Sequence, residues 1–306
     1  MKYGAQSEYR PLKTLLLHRP QPEDLLWVRE DNLSYYNFTS PVDPELYLAE
    51  YEAMVEAFSA KGVEILFLTE VLKDNREALN YISRRPNLVF MRDMATVYDQ
   101  GAVIMNPYLK GRQWDGWVVR ECFKALGIPI LGEITYPGYL EGGGNLFLRD
   151  RIGIVSICDR TTEDAISQLA SFTLKRSLDQ LIVVNVPQGN IHLDSLFMVI
   201  DEDLAFLNRD ILDISPAKIL RASGSEKYIW LSGYLNELGF ESIDGKTAFG
   251  MCYVAYTPRH VIGYKHTDEN AGAIESRGGV ITGVPGFELF KGDGGVHCMT
   301  CPLLRE

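Results

Sequence analysis

The chain has 306 residues, and its 46% hydrophobic and 23% charged content is that of a water-soluble globular protein. A formal net charge of −11 without a basic stripe argues against a nucleic-acid partner and is weakly in favour of a cationic small molecule. No apolar run reaches the ~20 residues of a membrane span, and residues 1–20 lack the pattern of a secretion signal. We therefore expect a cytoplasmic protein with no membrane partner, and the oligomeric state, monomer or homo-oligomer, stays open.

The cysteines are odd in number, five in a chain without an export signal, which favours thiols over a disulfide framework. Cys298 and Cys301 form a C-x-x-C motif, the pattern of a redox pair or of half a zinc site. No second such motif completes a zinc site, and on a strand two residues three apart face opposite sides. We therefore expect no metal and no cofactor.

The first predicted unit is a strand, a helix and a second strand. The first strand covers residues 14–18, and the helix begins at Asp43-Pro44, an acidic N-cap followed by proline at the first helical position. Gly62 ends the helix, and residues 63–68 form a buried strand. The apolar residues at helical spacing are Tyr47, Tyr51, Met54, Val55 and Phe58.

A hairpin, a helix and a strand then recur in the same order, so that the chain contains about five such units. The first unit has only one clear hairpin strand, and the C-terminal strand at 299–304 is expected to supply the other. No linker divides the chain, so we expect a single domain over residues 1–306. The later units start with hairpins at 87–107, 139–157, 191–208 and 247–264, and their helices include residues 114–126, 161–170, 227–239 and 269–276.

Reactive side chains occupy equivalent places in these units. Asp93 lies in the first strand of the second hairpin, Glu141 at the start of the third, and His192 with Asp194 at the start of the fourth. Cys298 follows three glycines and lies beside the first unit. Each has a structural alternative when taken singly, such as a local ion pair, a core histidine or a turn residue. His192 and Asp194 are two residues apart, which on a strand places both on one face and favours a site.

A thiol, a histidine and several carboxylates together indicate a cationic electrophile. One acid would suffice to orient a histidine for acyl transfer, and further carboxylates would repel the oxyanion that acyl transfer develops. A planar guanidinium, whose N–H donors match carboxylate oxygens, fits between such acids. Its positive charge would also lower the pKa of Cys298 and so produce the thiolate when substrate binds.

Five stretches carry a resemblance to a known family, the guanidino-group-modifying enzymes of the pentein superfamily, and to arginine deiminases most closely. The resemblance implies a pentein fold, a five-bladed pseudo-symmetric α/β propeller, which agrees with the repeating units. The matching stretches are PNLVFMRD (86–93), LEGGGN (140–145), ICDRTTEDAI (157–166), IHLDSLFMVID (191–201) and GGVHCMTCPLLRE (294–306).

The resemblance implies roles for the residues that match. Cys298 is similar to the nucleophile that attacks the guanidinium carbon, and His192 to the general acid and base. Asp93 and Asp194 resemble the carboxylates that grip the guanidinium, and Glu141 resembles the acid that orients the histidine or adds a third grip.

The resemblance also implies contacts with the rest of a small-molecule guanidino substrate. Arg160 is similar to an arginine that holds a substrate α-carboxylate, Arg112 to a second one, and Asn87 to a further polar contact. The family has an acid where this chain has Gly144, at the end of the pocket far from the chemistry, so a guanidino acid other than arginine fits equally well.

Three functions follow as alternatives. The first is hydrolysis of arginine or a related guanidino acid to the ureido product and ammonia through a covalent thiouronium. The second is an amidinotransferase that passes the amidino group to an amine, against which the EGG motif weighs. The third is a non-catalytic scaffold, which the presence of the nucleophile, the histidine and the aspartates disfavours.

Overall fold

The computed structural model describes residues 1–245, 251–265 and 270–306. Residues 247–250 of the predicted fifth hairpin and residue 269 of the last predicted helix lie outside these ranges. The strands are β1 (Leu12–Leu17), β2 (Glu64–Phe67), β3 (Ala95–Tyr98), β4 (Gly101–Ile104), β5 (Ile130–Glu133), β6 (Asn145–Arg149), β7 (Ile152–Ile157), β8 (Gln180–Asn185), β9 (Phe197–Asp201), β10 (Leu204–Leu207), β11 (Ala217–Arg221), β12 (Glu226–Ile229), β13 (Glu241–Asp244), β14 (Val254–Thr257), β15 (His260–Tyr264), β16 (Val280–Val284) and β17 (Cys301–Arg305).

The helices alternate with these strands, and none in the described ranges is long and apolar enough to cross a membrane. They are α1 (Pro22–Leu25), α2 (Leu33–Tyr36), α3 (Pro44–Ser59), α4 (Leu68–Val71), α5 (Arg76–Ile82), α6 (Asp115–Leu126), α7 (Glu163–Thr173), α8 (Arg209–Leu212), α9 (Leu231–Glu237) and α10 (Ala271–Glu275).

Each sheet of the described residues has the same plan, in a mixed α/β fold. An antiparallel pair is extended by a strand parallel to its second member, as in β3-β4-β5, β6-β7-β8, β9-β10-β13 and β14-β15-β16. A parallel neighbour requires a crossover, and a helix lies in each of these connections. The predicted order of hairpin, helix and strand is therefore confirmed.

The first unit receives its missing strand from the C-terminus. β17 pairs antiparallel with β1, and β1 pairs parallel with β2, which repeats the plan of the other sheets. Gly4 and Leu304 form a further bridge between the two ends of the chain. The predicted pairing of the last strand with the first is therefore confirmed, and it brings Cys298 next to the start of the chain.

Local signals placed the crossover helices correctly. The Asp43 carboxylate caps α3 by accepting from the N–H groups of Glu45 and Leu46, and Thr162 caps α7 through the Ala165 N–H. Gly127 ends α6 at a φ of 71°, a conformation that glycine adopts without strain. The five apolar residues predicted to face inward from α3 are all buried against β1 and β2.

One predicted helix is partly wrong. Residues 226–229 form β12, which pairs with β11 at the edge of the third sheet, and the helix α9 begins only at Leu231. The apolar spacing of the segment predicts a helix. Residues 226–229 instead form a strand because they pair with β11, which itself pairs with β8. Apolar spacing alone does not reveal this long-range pairing.

Candidate active site

The predicted acids and the histidine lie at the start of successive hairpins, in or directly before short 3₁₀ turns rather than on strands. Asp93 is in the turn Met91–Met94 before β3, and Asp194 is in the turn Leu193–Ser195 before β9. Glu141 precedes the turn Gly142–Gly144, which leads into β6. The strand assignments of Asp93 and of the pair His192 and Asp194 were therefore wrong, whereas Glu141 does lie at the start of its hairpin. These segments are buried on all sides, so they lack the alternation that distinguishes a half-buried strand.

The turns converge on one cavity of about 380 Å³. Seven of the eight predicted side chains line it, and Glu141 lies directly behind, fully buried and bonded to His192. The seven are Asn87, Asp93, Arg112, Arg160, His192, Asp194 and Cys298. Turns from separate sheets thus contribute to a single pocket lined by polar side chains. The predicted residues that line it run from Asn87 to Cys298, more than 200 positions apart in sequence.

His192 and Glu141 form a tight pair. The distance between His192 Nε2 and Glu141 Oε2 is 2.7 Å, and Arg160 donates to the same oxygen at 3.2 Å. Burial alone would raise the pKa of Glu141, but the His192 hydrogen bond and the Arg160 charge bring it below its ordinary value. Burial alone would lower the pKa of His192, but the charges of Asp93 and Glu141 raise it above its ordinary value. The imidazolium therefore persists to higher pH than in water and suits a general acid.

Replacing Glu141 with glutamine is expected to reduce kcat about 100-fold and to move the basic limb of the kcat pH profile to lower pH. The amide removes the negative charge that helps to raise the pKa of His192, so the imidazolium is lost at lower pH. The measurement is turnover of a guanidino acid across pH.

Asp24→Asn serves as the matched control, because Asp24 is also a buried carboxylate, bonded to backbone N–H groups away from the cavity. It should lower stability without moving the pH profile. A Glu141→Gln enzyme whose basic limb stays in place would contradict the assignment.

Asp93 is held by Arg112. Arg112 Nη1 donates to Asp93 Oδ2 at 2.6 Å, and its Nη2 donates to the Asn87 and Phe90 carbonyls. Asp93 Oδ1 has no hydrogen-bond partner among the described residues and lies 4.0 Å from His192 Nδ1. One carboxylate oxygen is thus fixed by a buried guanidinium while the other remains available to a donor in the cavity.

A row of buried ionisable side chains extends from Asp194 away from the cavity. His297 Nδ1 lies 2.8 Å from Asp194 Oδ2, and His297 Nε2 lies 3.4 Å from Glu8 Oε2. Arg92 Nη1 lies 4.0 Å from the same Glu8 oxygen, Oε2. Although burial would raise the pKa of Asp194, the His297 hydrogen bond and charge lower it below its ordinary value. Asp194 therefore stays ionised at neutral pH.

Cys298 lies in the turn before β17, which begins at Cys301, two residues later than the predicted strand at 299–304. Its Sγ is 3.7 Å from Asp194 Oδ2. The pKa of the Cys298 thiol is raised well above its ordinary value by the hydrogen bond with Cys252, by burial and by the Asp194 charge. Cys301 packs in a different apolar cluster with its Sγ near the Ala95 carbonyl, so the two sulfurs of the C-x-x-C motif do face apart.

The glycine run after Glu141 is required by close packing. A Cβ on Gly142 would lie 2.0 Å from the Arg92 carbonyl oxygen. A Cβ on Gly143 would lie 2.7 Å from His192 Nδ1 and 3.1 Å from Asp194 Oδ2. The backbone of the third unit thus fits directly against the catalytic candidates of the fourth, with no room for a side chain.

Replacing Gly143 with alanine is expected to reduce kcat/KM about 100-fold, because the added methyl group displaces His192 and Asp194 from their positions. The measurement is steady-state turnover together with thermal unfolding. Gly272→Ala is the control, since no atom of the described residues lies within 4 Å of a Cβ there and the residue is helical. Unchanged kcat/KM in Gly143→Ala would show that the close fit of this backbone against His192 and Asp194 does not affect turnover.

Sequence reasoning missed several residues of the site. Cys252 and His297 contact Asp194, Glu8 contacts His297, and Asp293 lies at the cavity, bonded to Asn37. The only local signal was the adjacency of His297 and Asp293 to the glycine run and Cys298. Glu8 is 289 residues from His297 along the chain, and that contact exists only in the folded protein.

The position of Gly144 differs from the expectation that it lies at the end of the pocket far from the chemistry. It is buried and does not line the cavity, and a Cβ there would meet Thr161 Oγ1 at 3.0 Å. Even a methyl group at position 144 would press on Thr161 Oγ1, with Ser156 Oγ at 3.8 Å, so the packing leaves no free space for a side chain.

Comparison with solved structures identifies the class of fold. Dimethylarginine dimethylaminohydrolase from Pseudomonas aeruginosa, solved in complex with citrulline, superposes with a TM-score of 0.71 at 16% identity, over 96% of this chain and all of that one. An amidinotransferase of the saxitoxin biosynthetic pathway from Microseira wollei superposes with a TM-score of 0.73 at 11% identity, over 100% of this chain and 98% of that one. Together with the sequence comparisons below, they place the chain in the pentein superfamily.

Sequence comparison is more specific. The sequence model of the arginine deiminase family matches residues 25–230 and 235–305, and the chain belongs to that family. The arginine deiminase of Limosilactobacillus reuteri is 25% identical over 278 residues, which cover 77% of this chain and 65% of the relative. That of Borreliella afzelii is 26% identical over 279 residues, 78% of this chain and 68% of the relative. The match thus spans about two thirds of the length of these relatives.

Proposed function

We propose that this protein hydrolyses the guanidino group of arginine or a related guanidino acid to the ureido product and ammonia. The observation that carries the proposal is the placement of Cys298 Sγ 3.7 Å from Asp194 Oδ2 in a cavity that Asp93 and His192 also line. The names of the relatives and of the similar solved structures support guanidine chemistry.

The two aspartates bind the substrate cation. Asp93 offers Oδ1 and Asp194 its ionised carboxylate, and both line the cavity in which a planar guanidinium would place its N–H donors. The hydrogen bond with Cys252, burial and the Asp194 charge together raise the pKa of Cys298. A bound guanidinium offsets that negative charge, so the thiolate forms in the presence of substrate.

The reaction then proceeds in two steps. The Cys298 thiolate attacks the guanidinium carbon, and the C–N bond breaks as protonated His192 donates a proton to the departing ammonia. Neutral His192 next takes a proton from a water that attacks the S-linked thiouronium carbon, and the C–S bond breaks to release the ureido product and the thiolate. Glu141 holds His192 in position for both transfers.

The arginines of the cavity have different tasks in this proposal. Arg112 makes several hydrogen bonds that fix Asp93 and the backbone around it, so it acts mainly by positioning Asp93. Arg160 donates to Glu141 through Nη1 and lines the cavity, so its remaining donors serve a substrate α-carboxylate. Asn87 faces the same cavity and is a further polar contact for the substrate.

Asp293 is the candidate partner of a substrate α-amine, since it provides a carboxylate at the cavity where Gly144 provides none. Asp293→Asn is expected to raise KM for arginine up to about fivefold, the value of one partly exposed charge pair. The KM of an ω-guanidino acid that lacks the α-amine should not change. Equal effects on both substrates would remove Asp293 from substrate recognition.

The test of the function is incubation with arginine and a series of guanidino acids, with assays for ammonia and ureido product. Hydrolysis without an added amine supports the proposal. Turnover only with an amine acceptor would make the protein an amidinotransferase, the alternative. A protein that forms no covalent adduct on Cys298 with any guanidine would be a scaffold.

We further propose that the whole chain forms a single closed domain, a five-bladed pseudo-symmetric propeller. The support is the common plan of the sheets and the pairing of β17 with β1, which joins the two ends of the chain. In such a ring the hairpin starts face one axis, which accounts for the convergence of turns from separate units on one cavity.

A further inference from the structure

Cys252 and Cys298 lie side by side at the wall of the cavity. Their sulfur atoms and a carboxylate oxygen of Asp194 all lie within 4.8 Å of one another. Both thiols contact the same residue: Cys298 Sγ is 3.7 Å from Asp194 Oδ2, and Cys252 Sγ is 3.7 Å from the Asp194 carbonyl. The reaction proposed above gives Cys252 no task.

The backbone holds the two cysteines together. The His297 N–H donates to the Cys252 carbonyl at 3.1 Å, which ties the segment before β14 to the turn that carries Cys298. A Cβ on Gly295 would lie 2.3 Å from Cys252 Cβ, so the two segments approach as closely as a glycine permits. The two sulfurs lie within 4.8 Å of each other and must approach to about 2 Å for a disulfide to form.

Both thiols line the cavity, so a small solute that enters it reaches them. The other cysteines are placed differently. Cys122 and Cys301 are buried in another apolar cluster, and Cys158 donates to the Ile191 carbonyl at 2.8 Å. Among the cysteines, all of which the structure describes, only Cys252 and Cys298 are cavity-lining.

We propose that Cys252 and Cys298 form an oxidative modification site, in which a peroxide converts them to a reversible disulfide with Cys252 as the resolving thiol. As the Cys298 thiol passes its proton to the Asp194 carboxylate 3.7 Å away, its sulfur attacks one oxygen of hydrogen peroxide to give the sulfenic acid, the O–O bond breaks, and the hydroxide released takes that proton to form water. The Cys252 sulfur then attacks the sulfenic sulfur, the S–O bond breaks, and the hydroxide released takes the Cys252 proton to form a second water. Two thiols are oxidised and one peroxide is reduced.

The disulfide has two consequences. It removes the nucleophile and so stops turnover, a consequence that rests on the proposed function. It also protects Cys298 from oxidation to the sulfinic and sulfonic acids, which reducing thiols do not reverse. Oxidised enzyme should therefore recover with dithiothreitol.

The test is treatment with hydrogen peroxide, alkylation of the remaining thiols, and peptide mass spectrometry. We expect a peptide pair joined through residues 252 and 298, with a loss of about 2 Da for the two thiol hydrogens. This readout does not use turnover, so it stands even if guanidine hydrolysis fails. Absence of that cross-link, with Cys298 oxidised by itself, would overturn the proposal.

Matched variants separate the resolving thiol from its neighbours. In Cys252→Ser, peroxide should drive Cys298 to the sulfinic acid, and dithiothreitol should then fail to reduce the modified sulfur. Cys301→Ser should form the 252–298 cross-link as the unmodified chain does, because its sulfur lies in another cluster. Equal recovery of the Cys298 thiol in Cys252→Ser and in the unmodified chain would refute the role of Cys252.

Discussion

Replacing Cys298 with alanine is expected to reduce hydrolysis of the guanidino substrate by at least about 10⁴-fold, since no thiouronium can form without the sulfur. The residue lines the cavity, and its Sγ is next to the carboxylate proposed to bind the cation. The measurement is the rate of ammonia and ureido product formation, with intact-protein mass spectrometry for the adduct. The variant should still bind substrate, because Asp93 and Asp194 are unchanged.

Cys301→Ala is the matched control for this experiment. It is three residues away and fully buried in a different cluster, so it should lower stability while turnover stays within a few-fold of the unmodified protein. If loss of turnover followed Cys301 and not Cys298, the wrong sulfur would have been assigned.

Replacing His192 with asparagine is expected to lower kcat by about 10²- to 10⁴-fold, because the departing ammonia and the attacking water both lose their proton partner. The basic limb of the pH profile assigned to the imidazolium should disappear as well, since its raised pKa keeps the acid form present above about pH 6.5. Added imidazole should restore part of the activity by entering the space that the side chain leaves.

His260→Asn provides the comparison, because His260 is a half-exposed histidine at the start of β15 and bonds to the Pro258 carbonyl away from the cavity. Its turnover should match that of the unmodified protein. A His192→Asn enzyme that retained kcat within tenfold, with the same pH profile, would show that another group transfers the protons.

The repeat and the helices were predictable from sequence because their signals are local. The Asp43 cap of α3 and the end of α6 at Gly127 depend on residue types within a few positions of each helix terminus. The buried face of α3 follows from apolar residues that recur at each helical turn. The type of chemistry was predictable for a similar reason, because a cysteine after a glycine run, a histidine and acids at hairpin starts limit what can react.

Other features depended on contacts between distant parts of the chain. The pairing of β12 with β11, the 3₁₀ turns that carry Asp93 and Asp194, and the burial of Gly144 behind the cavity all differ from what the pattern indicated. Each is decided by the neighbours that surround a buried segment, and burial on all sides removes the periodic signal from which strands are predicted.

The sequence by itself determined the order of hairpin, helix and strand and indicated eight candidate residues for the site, because both depend on residue type and short-range spacing. Only the tertiary structure decided which side chains meet: Arg112 with Asp93, Glu8 with His297, and Cys252 with Cys298. Electrostatic and hydrogen-bond energies act over a few ångströms in space, and the fold alone brings residues 8 and 297 within that distance.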